Sequence, residues 1–95
     1  EIDSGVGGEV ALRVADKLKE VARHHQVFVI THLPQLASRA HHQLSVEKDD
    51  LKGLASTRVR ELTGEDRIAE VARMLGGDPD SAASREHARE LLQSA

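Results

Sequence analysis

Two stretches of this sequence carry side chains of the kind that act on a phosphate. Glu1-Ile2-Asp3-Ser4-Gly5-Val6-Gly7-Gly8 places a carboxylate ahead of a glycine-rich turn, and Gln26-Val27-Phe28-Val29-Ile30-Thr31-His32 ends an apolar run on an imidazole. An ordinary glutamate is ionised at pH 7, so Glu1 offers a base; a histidine titrates near neutrality and can donate to a phosphate oxygen. In an open parallel sheet, ligands gather in the crevice outside the carboxyl ends of the strands. Polar side chains at two neighbouring strand tips would therefore meet on one ligand. Taken singly, each has a plainer account. A Glu at a chain end is commonly mobile, clustered glycines merely permit a tight turn, and a histidine after an apolar run is commonly a surface residue.

The elements that must position these residues follow from periodicity. Val10, Val14, Leu18 and Val21 recur at helical spacing, which predicts a helix from about Gly8 to His24. Val27 to Ile30 is continuously apolar and predicts a strand covered on both faces, as in parallel α/β sheets. Pro34 opens a short helix to about Ala40, with Leu36, Ala37 and Ala40 inward. Gln43 to Glu47 and Ser56 to Leu62 predict an antiparallel hairpin. Thr63 reads as the cap of a helix, with Asp66 in a position resembling a capping box. Ile68, Val71, Ala72 and Leu75 form that helix's apolar stripe, and Gly76-Gly77 ends it. After a linker at residues 78–81, Ser84 to Gln93 is a last helix with Ala88, Leu91 and Leu92 on one face.

Composition narrows the function classes. Ninety-five residues make at most one domain with a modest core, and 39% hydrophobic with 31% charged residues is a globular composition rather than a disordered one. A formal net charge of -3 argues against a main DNA-contacting surface, and Phe28, the one aromatic residue, leaves nothing for stacking on bases. With no cysteine there is no disulfide framework, cysteine nucleophile or cysteine zinc ligand. Nothing approaches the ~18 consecutive apolar residues of a membrane span, so a cytoplasmic protein without a membrane partner is the expectation. The opening without Met, inside a motif, reads as a fragment.

The wording of both stretches resembles a known superfamily. EIDSGVGG is similar to the end of a Walker B motif running into the D-loop of an ABC-type ATPase head, and VFVITHLPQLA is similar to its switch-histidine strand. With LTGEDRIAEVARMLGG and SREHARELL, they resemble the C-terminal end of the head in the RecN family, bacterial SMC-like DNA-repair ATPases. The resemblance implies the C-terminal part of a P-loop NTPase: an α/β fold with parallel strands, a late antiparallel hairpin and C-terminal helices. In the family pattern an Asp holding Mg²⁺ precedes a Glu that orients and deprotonates the attacking water, which makes Glu1 the catalytic carboxylate and His32 the γ-phosphate contact. Asp3, Ser4 and Gly5 fall in the D-loop, at the interface between two heads. Gly7 stands where many members have Asp, so these residues carry over by location rather than by individual contact.

The resemblance further implies ATP and Mg²⁺ as cofactors. It implies as partners the rest of the same head, a second head in an ATP-dependent dimer, and DNA reached through the intact protein at the bacterial nucleoid. The Walker A loop, Q-loop and signature motif are not among these residues, so the segment alone is expected to be inactive. Two rivals remain: the head of another SMC-like or transporter-type ATPase, and a non-catalytic module whose helices dock on a partner.

The remaining histidines and arginines have ordinary accounts. Adjacent residues such as His24-His25 and His41-His42 do not share a helix face, and no metal site is expected. His87 reads as a packed or rim residue. Arg58, Arg60, Arg67, Arg73, Arg85 and Arg89 all have acidic neighbours, and helical ion pairing is expected for them.

Overall fold

A computed structural model of the chain describes residues 8–49 and 56–94. In chain order it contains α1 (Gly8–Val21), α2 (Pro34–Arg39), β1 (Gln43–Asp49), β2 (Ser56–Leu62), α3 (Gly64–Met74) and α4 (Ala82–Gln93). α1 packs on α2 and α3 on α4, while α2 also touches both α3 and α4. This makes the shortest helix the junction of the helical body.

Small residues set the α1 contact. Ala11 and Ala15, one turn apart, are the buried residues of α1, whereas Val10 and Val21 from the expected stripe are exposed. The packed face is thus rotated by about one residue from the valine row, because alanines let a neighbouring helix approach more closely than branched side chains do. α1 also ends earlier than expected. After Val21 the amides of Arg23 and His24 donate to the carbonyls of Glu20 and Val21, a tightened last turn.

α3 and α4 follow the sequence pattern more closely. Val71, Ala72 and Ala88 are fully buried, with Ile68, Leu75, Leu91 and Leu92 packed around them. Burying a valine contributes roughly 1.5 kcal/mol or more, so Val71 anchors this small cluster. α3 stops in a Schellman arrangement: the Gly77 amide donates to the Ala72 carbonyl and the Gly76 amide to that of Arg73, each at 3.0 Å. Thr63 stands at the N-cap of α3, but its side chain makes no capping bond. Asp66 is held by Arg60 at 3.3 Å instead. Ser81, placed by the sequence in a linker, is the true cap of α4, accepting from the Ser84 amide at 3.4 Å.

The hairpin pairs Gln43 with Leu62 at its base and Asp49 with Ser56 at its far end. Only the base is buried; Leu44, Val46 and Val59 face solvent. The opposite face carries Glu47 between Arg58 and Arg60, at 3.1 and 3.3 Å. The expected strand at residues 27–30 differs more. It belongs to no sheet, no parallel pair occurs among the described residues, and Phe28 and Ile30 are each 78% exposed. A buried parallel strand needs partners for its backbone groups along both edges and cover on both faces, and the described residues supply neither.

Candidate functional site

His32 stands exposed on the turn between the 27–30 segment and α2. The turn is shaped locally: the Leu33 amide donates to Thr31 Oγ1 at 3.0 Å, and Pro34 enters the first turn of α2. A proline costs nothing there, since that amide would lack a helical acceptor in any case. Thr31 is therefore a shaper of backbone in this turn.

Glu1, Asp3, Ser4, Gly5 and Gly7 lie outside the described residues. Their stretch nevertheless has a described end. Gly8 opens α1, and a Cβ built on it would lie 3.4 Å from Gln35 Nε2. The last residue of the glycine-rich stretch therefore abuts the first turn of α2, three positions past His32. Two stretches separated by more than twenty residues of chain come together at this point.

Arginines hold the other end of α2. Arg67 of α3 donates through Nη2 to the carbonyls of Ala37 and Ala40, at 3.1 and 2.8 Å, and through Nε to Gln43 Oε1 at 3.1 Å. Gln43 is 8% exposed, and its amide reaches Met74 Sδ at 3.8 Å. Partial burial of Arg67 lowers its guanidinium pKa by desolvation. Arg39 of α2 bonds the Ser94 carbonyl beyond α4 and lies 3.7 Å from Asp16 of α1. Sequence reading assigns Arg67 to helical ion pairing and gives neither Arg39 nor Gln43 a role of its own. The acceptors of Arg67 and Arg39 lie far along the chain, and no local pattern marks them.

The other arginines do form ion pairs, but largely between elements. Arg85 and Arg89 of α4 meet Glu65 of α3, and the hydrogen bond from Arg85 leads the causes that hold the Glu65 carboxyl below its ordinary range. Arg73 and Glu70 are the expected i,i+3 pair. His42 Nδ1 lies 3.0 Å from Glu61; His24, His25 and His41 are exposed, and His87 is exposed next to the buried Ala88, at the rim rather than packed. Among the described residues no three His, Asp or Glu side chains gather as a metal-ligand set, and no helix is long and apolar enough to cross a membrane. A shallow depression lined by Asp16, Lys19, Glu20, Arg23 and His41 carries charges of both signs and excludes His32.

These features define a mixed helix and hairpin segment in which the end of a glycine-rich stretch meets the short helix that follows His32. No protein-family model matches the chain. Curated relatives do match it: DNA repair protein RecN of Deinococcus radiodurans is 51% identical over 92 residues, covering 97% of this chain and 16% of the relative. RecN of Mycobacterium tuberculosis is 52% identical and that of Streptomyces coelicolor 46%, each across 100% of this chain and 16% and 17% of the relative. The chain belongs to the RecN family as a segment of it, spanning about a sixth of the length of the curated relatives it matches.

Proposed function

We propose that this segment is the C-terminal part of an ABC-type ATPase head in a RecN-type protein that hydrolyses ATP with Mg²⁺ during repair of DNA double-strand breaks. The observation that supports the reading is the approach of Gly8 to Gln35, a residue in the first turn of the helix that follows His32. Glu1 then orients the attacking water and takes its proton, while His32 donates to an oxygen of the terminal phosphate. Phosphoryl transfer depends chiefly on such positioning and charge stabilisation. By resemblance Asp3, Ser4 and Gly5 belong to the D-loop, the stretch across which ATP would join two heads. DNA is contacted by other parts of the intact protein, as the net charge of -3 favours.

The donor set here is one carboxylate and one imidazole, which fits nucleotide only as a partial site. When bound, Mg²⁺ supplies charge neutralisation at the phosphates; its ligands and the phosphate-gripping loop belong to the remainder of the head. The segment alone is therefore inactive. Replacing His32 with Ala in the full-length protein tests the reading. Turnover is expected to fall by about 10²-fold or more, the scale of losing one preorganised donor. Unchanged turnover, with stability intact, would overturn it and favour a docking module.

A further inference from the structure

α2 has six residues, well short of the length at which a helix holds itself together in water, and it follows the His32 turn directly. Its placement depends on what ties it down. Arg67 grips its C-terminal end through the Ala37 and Ala40 carbonyls and braces against Gln43. From that grip, hydrogen bonds run back to the histidine. The Ala37 amide donates to the Leu33 carbonyl at 3.1 Å, and the Leu33 amide donates to Thr31 Oγ1 at 3.0 Å. The series ends on the two residues that flank His32.

The acidic groups around Arg67 are meanwhile engaged by other arginines: Glu65 by Arg85, Asp66 by Arg60 and Glu70 by Arg73. This leaves the Arg67 fork directed at α2. A guanidinium suits the task because its donors are set in a rigid plane and can reach two carbonyls and an amide at once, whereas lysine offers a single nitrogen. Resting on the ATPase reading above, we infer that Arg67 is a positioning residue for His32, holding through α2 the turn that aims the imidazole at the terminal phosphate.

A double-mutant cycle in the full-length protein tests this. Steady-state ATP turnover is measured for the unaltered protein, Arg67→Met, His32→Ala and the pair. Arg67→Met is expected to lower kcat about tenfold with KM for ATP changed less than about twofold, and to add almost nothing once His32 is gone. A merely structural role would lower kcat by the same factor in both backgrounds, and that result overturns the inference while leaving the ATPase reading standing. If His32→Ala alone leaves turnover unaltered, the reading and the inference both fall. Arg67→Lys, which keeps the charge but offers its donors from a single nitrogen, is run through the same cycle and decides the matter if Arg67→Met does not fold. Its expected factor is about threefold, again only in the presence of His32.

Discussion

Gly76 and Gly77 are adjacent glycines required for different reasons, and substitutions can tell the two apart. Gly76 has φ +86°, in the left-handed region, with open space where a Cβ would go. Alanine there strains only the backbone, at about 1–2 kcal/mol, and asparagine, which tolerates that region, should cost less. Gly77 has no positive φ, but a Cβ on it would lie 2.4 Å from Ser84 Oγ, 2.8 Å from Ser84 Cβ and 3.4 Å from the Ala72 carbonyl oxygen. Because two of those atoms belong to one side chain, Gly77→Ala should cost about 2 kcal/mol by overpacking α3 against α4. Removing that side chain should then recover most of the loss.

The assay is urea unfolding of Gly76→Ala, Gly77→Ala and Ser84→Gly, singly and in pairs. Gly77→Ala with Ser84→Gly should be more stable than the sum of the single losses by about 1 kcal/mol or more, whereas Gly76→Ala with Ser84→Gly should be additive within about 0.5 kcal/mol. Additivity in the first pair, or a Gly77→Ala cost under about 0.5 kcal/mol, would refute the steric account.

Val71→Ala removes two methyl groups from a fully buried position between α3 and α4, and should destabilise by about 2 kcal/mol once the cavity is included, measured by the same unfolding curve. The Glu65 contact should weaken in acid. Its folded-state pKa lies below the ordinary 4.5, first through the Arg85 hydrogen bond, so its contribution is complete above the unfolded value and is lost as pH falls through the lower folded one. Glu65→Gln should flatten that part of the stability-against-pH profile; an unchanged acid limb would contradict the assignment.

Helices α3 and α4 were legible in the sequence because their contacts are few and their faces are marked by Val71, Ala72, Ala88 and the leucines around them. The hairpin was legible as well, though which face it buries was not: Leu44 and Val46 look like core residues in an alternating strand and instead face solvent. The 27–30 segment shows the limit most plainly. Its apolar composition states what surroundings it suits, but a strand exists only where another strand offers hydrogen bonds, and those partners are not among the described residues. The same limit hid Arg67, whose acceptors on α2 lie some thirty positions away.

The sequence by itself determined the family, the helix-forming stripes and the candidate pair Glu1 and His32, because residue types and local spacing are properties of a linear chain. Only the tertiary structure decided that α1 turns its alanines inward, that Gly8 meets Gln35, and that a half-buried arginine steadies the short helix behind His32. Those outcomes depend on which surfaces approach one another in space. A carbonyl left open at a helix end is met by whichever donor the fold brings within 3 Å or so, and no neighbour in the sequence announces which one that is.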